Sequence, residues 1–179
     1  MVRRVVAAHQ NGKAVILNDG SPAVSHVFEK IPGMEFAFAW ATPPQPQIKV
    51  NGEAEVVSRS THLIPQPGES RLIFLKVPPD SVVMSPGFDP AAAGQEFAEH
   101  QGEIAATMEP DHPGMHRTDS IDYVILLEGE IHMELDDQQE VLLRQHDVVI
   151  QNGTRHAWRN KSDRTASLAV VLVGAQRQR

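Results

Sequence analysis

Apolar and polar positions alternate with a period of two through most of this chain, and only one stretch adopts a helical rhythm. From Ile121 onward the alternation is nearly continuous. It predicts strands at 121–127, 130–135, 140–144, 147–151, 155–159 and 167–174, with turns at Glu128-Gly129, Asp136-Asp137, Gln145-His146-Asp147, Asn152-Gly153 and Lys161-Ser162-Asp163. Many short, evenly spaced strands imply a sandwich or closed barrel. Upstream, 3–9 and 14–18 are β-branched runs around Asn11-Gly12, a pair suited to the positive φ angles of a tight hairpin. Segments 24–31 and 35–41 are further strand candidates. The run Thr42-Pro43-Pro44-Gln45-Pro46-Gln47 lacks the N–H donors of a ladder strand and reads as a connector. Segment 71–77 then alternates Leu72, Phe74 and Lys76 against Ile73, Leu75 and Val77. Asp89-Pro90 supplies an N-cap and first-turn proline for one short helix over 91–100. The expected organisation is an N-terminal β arm and connector over 1–66, followed by a β-barrel over 67–179.

The same alternation sorts side chains by face. If the segment around 115–126 is extended, His116, Thr118, Ser120, Asp122, Val124 and Leu126 share one face, with the polar members at one end. His156, Trp158 and Asn160 share a face of a later strand, opposite Ala157 and Arg159. A polar, aromatic-walled pocket at one end of the barrel follows. The other face of the 121–127 strand, Tyr123, Ile125 and Leu127, is also apolar and needs cover. The N-terminal hairpin could provide it within the chain or from a second subunit, so a homodimer is expected.

Composition narrows the chemistry. The 179 residues include no cysteine, which excludes disulfides and thiolate sites. Any metal must take imidazole, carboxylate, amide, hydroxyl or water ligands, a set suited to iron, manganese, zinc, nickel or copper. A formal charge of -7, with the basic residues scattered, disfavours nucleic acid as a partner. No segment has the apolar length of a membrane span, and the start of the chain lacks the apolar core of a signal peptide. A soluble, cytoplasmic protein without a membrane partner is the expectation. There is no Gly-x-Ser-x-Gly elbow or phosphate-cradling glycine loop to support hydrolase or nucleotide chemistry.

Two spacings carry a resemblance. His116-x-Thr118-x3-Asp122-x6-Gly129 and Gln151-x-Gly153-x2-His156-x3-Asn160 resemble the two motifs of the cupin superfamily. In words, the first is His-x-His, three or four residues, Glu, six residues and Gly; the second is Pro-x-Gly-x2-His-x3-Asn. The turn before the second motif, usually a glycine, has His146. The resemblance covers about residues 70 to 174. It implies an all-β, double-stranded β-helix (jelly-roll) barrel, here with an N-terminal hairpin extension and one short helix. By position it also implies a divalent ion (Fe, Mn, Zn or Ni) held by His116, Asp122 and His156, with Thr118 standing where a second histidine belongs. Such a two-histidine, one-carboxylate set leaves metal positions open to substrate. The resulting expectation is a metal-dependent enzyme acting on a small oxygenated organic substrate, of oxygenase, decarboxylase or isomerase type. Asp122 is a candidate base and His112, on a proline-bounded rim loop, its candidate partner. Thr118, Trp158 and Asn160 are candidate substrate contacts. The alternative is a non-catalytic, small-molecule-binding barrel that has lost its metal.

Overall fold

The computed structural model describes residues 2–178. Strands β1 (Arg4–Gln10) and β2 (Lys13–Gly20) form the N-terminal hairpin. Asn11 at φ 51° and Gly12 at φ 76° make the expected two-residue turn. Of the hairpin's apolar side chains only Val6 is buried. Its main attachment is Arg4, which donates to Ala39 O at 3.0 Å and to both Glu55 oxygens at 2.9 and 2.7 Å, with its guanidinium over the Trp40 ring.

Two antiparallel sheets form the barrel. The larger has six strands in the order β3-β4-β5-β11-β6-β9, where β3 is Val24–Val27, β4 Glu35–Thr42, β5 Ser70–Val77, β6 Ser120–Glu128, β9 Val148–Asn152 and β11 Ala166–Gly174. The smaller is β10-β7-β8, with β7 Glu130–Glu134, β8 Glu140–Arg144 and β10 Ala157–Arg159. Phe36, Phe38, Ile73, Val124, Leu126, Ile131, Leu143 and Leu168 fill the space enclosed. This is the all-β jelly roll that the family resemblance implied, within the sandwich-or-barrel class set by the strand spacing. The alternation along β6 holds: Ser120, Asp122, Val124 and Leu126 are buried, while Ile121, Tyr123 and Leu127 are exposed. Gly129, at φ 80°, turns β6 into β7. A Cβ there would lie 3.0 Å from Thr165 O, so the first motif's glycine answers a close backbone approach.

The structure departs from the expected division at residue 66. Strands β3 and β4 belong to the main barrel sheet, because β4 pairs with β5 from Glu35↔Lys76 to Thr42↔Ser70. The proline-rich connector is an excursion whose two ends return to neighbouring strands. The helix is also longer than its periodicity suggests. Helix α2 runs Pro90–Ala105, capped by the Asp89 carboxylate at Ala91 N and Ala92 N, and passes through a kink at Gln101 (φ -137°, ψ 44°). A single-turn helix, α1 (Asp80–Val83), lies outside the elements the pattern predicts. Carboxylates on α2 hold two distant loops: Glu96 accepts from Glu29 N, Lys30 N and His26, and Glu103 from Ile64 N and His62. Among the described residues, no helix is long and apolar enough to cross a membrane.

Candidate metal centre

The approach to β6 and the turn after β9 run antiparallel and meet at one isolated bridge. His116 N donates to His156 O and His156 N to His116 O, both at 2.9 Å. Opposed residues of such a pair project from the same face, and the two imidazoles meet with ring centroids 4.4 Å apart at 48°. Gly153 (φ 59°) permits this convergence. A Cβ there would stand 3.2 Å from Thr118 O and 3.3 Å from Ser120 O. The Arg177 guanidinium fastens the same region, donating to Thr118 O, Gly153 O and the Asp119 carboxylate.

The hydrogen bonds of the two rings fix their chemistry. His116 Nδ1 lies 3.0 Å from Gly114 O, and His156 Nδ1 lies 3.0 Å from Thr154 O. A carbonyl only accepts, so each Nδ1 carries the proton and each neutral ring keeps its Nε2 lone pair for a ligand. Burial, then the neighbouring His116, holds His156 down at about 4 against the opposing bond to Thr154. Burial likewise lowers His116, against its bond to Gly114. Both rings are therefore neutral donors at neutral pH. Trp158 stands edge-on to His156, with centroids 5.6 Å apart, and is half-buried.

Farther along the inner face of β6, Thr118 Oγ1 and Ser120 Oγ share a hydrogen bond of 2.8 Å. Ser120 in turn bonds the Asp122 carboxyl, which burial pushes up to about 6 against that bond. Asp122 Oδ1 is buried without a partner. Gln151, at the proline position of the second motif, is 3% exposed and is the Cα partner of Asp122 across the β6–β9 ladder. Its inward position was available from alternation with Val149, but the side chain carries no charge to draw attention. Gln151 Nε2 reaches Met133 Sδ at 3.5 Å, and the Thr154 hydroxyl donates to Gln151 Oε1.

The predicted residues are thus brought together only in part. His116 and His156 meet, with Trp158 against them. Among the described residues, no three His, Asp or Glu side chains are gathered closely enough to hold an ion by themselves. Asp122, a methylene shorter than glutamate and bonded to Ser120, does not complete such a group with the histidines. Asn160 is fully buried and spends its amide on the scaffold: Nδ2 donates to Val77 O and Arg164 O, and Oδ1 accepts from Ser162. It ties the end of β5 to the β10–β11 turn rather than facing a ligand. His112 is exposed on the loop before His116, where its carbonyl accepts from Met115 N. A cleft of about 800 Å³ opens beside this region between Arg117, Asp119, Arg177 and Pro65, and neither histidine lines it. The two bare ring nitrogens are donors of the kind a divalent cation takes, but among the described residues no third side chain of that kind closes a site around them.

Residues 93–173, which include both histidines, match the cupin domain family. That stretch, somewhat under half of the chain, is similar to a cupin domain. Over 127 residues, 71% of the chain, the protein is 35% identical to phomopsin biosynthesis cluster protein D of Diaporthe leptostromiformis, covering 53% of that protein. It spans about half the length of that relative and of phomopsin biosynthesis cluster protein C' from the same fungus. A 46-residue stretch, 26% of the chain, is 44% identical to the cupin-domain-containing oxidoreductase virC of Hypocrea virens and covers 24% of it. Among solved structures, an ethanolamine utilization protein of Salmonella typhimurium aligns over 98% of both chains, at 10% identity and a TM-score of 0.42.

Proposed function

We propose that this protein is a divalent-metal-dependent enzyme acting on a small oxygenated organic substrate, with chemistry of the oxygenase, decarboxylase or isomerase type. The observation that carries the reading is the pair of facing imidazoles whose Nδ1–H groups are both committed to backbone carbonyls, leaving two Nε2 lone pairs on one face. Relatives named as cupin-domain-containing oxidoreductases, or for phomopsin and oryzine biosynthesis clusters, support an enzymatic role. His116 and His156 would hold the ion, with Asp122 as the carboxylate. A bound divalent ion supplies a Lewis acid that polarises a substrate oxygen. The chain's own contribution is to position and to move protons. Asp122, with its carboxyl near 6, exchanges a proton readily at neutral pH and serves as base where it is not a ligand. Trp158 walls the site, Thr118 offers a hydroxyl beside it, and His112 at the rim is a second proton carrier. Titrating the full chain with Mn(II) or Co(II) tests the reading: saturable binding is expected, and the absence of binding by either ion overturns it.

The second reading, a barrel that binds a small molecule without catalysis, is favoured by Thr118 in a histidine's place and by the absence of a ready three-ligand group among the described residues.

The apolar outer face of β6 supports a homodimer. Tyr123 pairs across the ladder with Ile150, and Ile125 with Val148, on the edge strand β9. Tyr123, Ile150 and Val148 are 45%, 50% and 56% exposed, so the N-terminal hairpin leaves this patch open and a second copy is its proposed cover. Tyr123→Glu places a charge on that face without disturbing the core. In size-exclusion chromatography with light scattering, the native chain is expected to elute as a dimer and the variant as a monomer. A monomeric native chain disposes of the proposal.

A further inference from the structure

The chain carries a formal charge of -7, yet the cleft of about 800 Å³ beside the histidines is lined by two guanidiniums and one carboxylate, those of Arg117, Arg177 and Asp119. Its local balance is positive. Arg177 is already committed: Nε donates to Asp119 Oδ1 at 2.7 Å, and Nη2 donates to Thr118 O and Gly153 O. Arg117 is not. Its exposed side chain makes no hydrogen bond or ion pair among the described residues. Glu109 feels its charge, but both Glu109 oxygens are taken by Arg155. A planar fork of N–H donors without a partner matches a carboxylate, which it grips with two parallel charge-assisted hydrogen bonds.

The rest of the lining is largely apolar, with Ile64, Pro65, Pro67 and Ala175. These walls are tied together by backbone bonds. Gly68 N donates to Gly174 O, Gly174 N to Glu69 O, and Ala175 N to Asp119 O. A Cβ at residue 174 would collide with the Gln66 carbonyl, so the loop before β5 closes onto the end of β11 only because Gly174 has no side chain. A cleft already held in shape leaves little chain to be ordered when a ligand enters.

We propose that this cleft binds a small monocarboxylate with an apolar body, Arg117 gripping the carboxylate and the proline-bearing wall covering the rest. Arg177 and Asp119 offset one another, so a single negative charge completes the balance. A phosphate would bring excess charge beside Asp119. The proposal is independent of any ion at the histidines, because neither ring lines the cleft.

The probes are 3-phenylpropanoate, its neutral amide 3-phenylpropanamide, and inorganic phosphate. Each is titrated into the full-length native chain and into Arg117→Gln, with backbone amide shifts followed by NMR. Saturable binding of the carboxylate by the native chain is expected, with shifts centred on Gln66, Asp119 and Ala175. Loss of the charged fork in Arg117→Gln is expected to weaken it about tenfold or more, and the amide should bind the native chain no better than the carboxylate binds the variant. Arg117 is exposed and unbonded, so the variant should fold. Absence of carboxylate binding, equal affinity for the amide, or undiminished affinity in Arg117→Gln overturns the proposal. Shifts centred on His116 and His156 instead overturn the location, and phosphate binding as tight as that of the carboxylate overturns the ligand class.

Discussion

Replacing His156 with alanine is expected to weaken Co(II) binding by roughly a hundredfold to a thousandfold. One nitrogen ligand carries a large share of apparent binding energies that reach about 10–16 kcal/mol in structural zinc sites, which puts its loss in that range. His116 alone cannot compensate, because its partner across the isolated bridge is the ring removed. The backbone hydrogen bonds of that bridge do not involve the imidazole, so the variant should fold and remain measurable. It also alters the pH profile of the metal-free protein. His156 is held at about 4, below its ordinary 6.5. Its lowered value means that the unfolded chain takes up the proton first, so stability falls as pH drops from 6.5 through 4. Alanine has no proton to take up. Chemical denaturation from pH 7 to pH 4 is expected to show a shallower acid loss in the variant than in the native chain. Undiminished Co(II) affinity in His156→Ala would remove the basis for a metal centre at this position.

The parts of the fold visible in the sequence were those set by local rules. Alternation along β6 separated Ser120 and Asp122 from Ile121 and Tyr123 because strand periodicity needs no knowledge of the partner strand. The Asn11-Gly12 turn and the Asp89-Pro90 helix start were likewise legible, since positive φ and capping belong to a few adjacent residues. The placement of β4 beside β5 was not, because that pairing spans the whole connector and Phe36 and Phe38 would suit many apolar faces. Helix α2 outran its expected end because a kink at Gln101 interrupts the periodicity without ending the helix.

The site divides along the same line. His116 and His156 announce themselves by residue type and spacing, but the feature that makes them donors, each Nδ1 committed to a carbonyl two residues earlier, uses the backbone of Gly114 and Thr154 and leaves no side-chain signature. Asn160 shows the converse. Its motif position suggested a ligand contact, yet its amide meets backbone carbonyls at Val77 and Arg164, a long-range requirement that sequence does not display. Gln151 is visible in the sequence as the residue at the second motif's proline position, but its place opposite Asp122 shows only once the β6–β9 pairing is known.

Substituting Asp122 by asparagine is expected to stabilise the metal-free protein above pH 6 while damaging ion binding. Burial raises the carboxyl from an ordinary 3.8 to about 6, so the folded state prefers the protonated acid. The sign follows from linkage: a group raised in the folded state contributes stability that is fully present below 3.8 and is lost as pH rises through about 6. A shift of about two pKa units corresponds to about 3 kcal/mol given up by the native chain at pH 8. Asparagine is nearly isosteric and never bears that charge, so urea denaturation in the presence of chelator should favour the variant by up to about 3 kcal/mol at pH 8, with the two proteins converging near pH 4. With saturating Co(II) the order should shrink or reverse, because an ion that binds only the folded state adds stability in proportion to the logarithm of its concentration over its dissociation constant, and the variant has surrendered a negative ligand. A buried carboxylate that weakens the empty fold and strengthens the loaded one is what separates a ligand site from a polar remnant. If the variant instead tracks the native chain across this pH range, the Asp122 carboxylate is adequately solvated where it stands and its assignment as a ligand loses its physical footing.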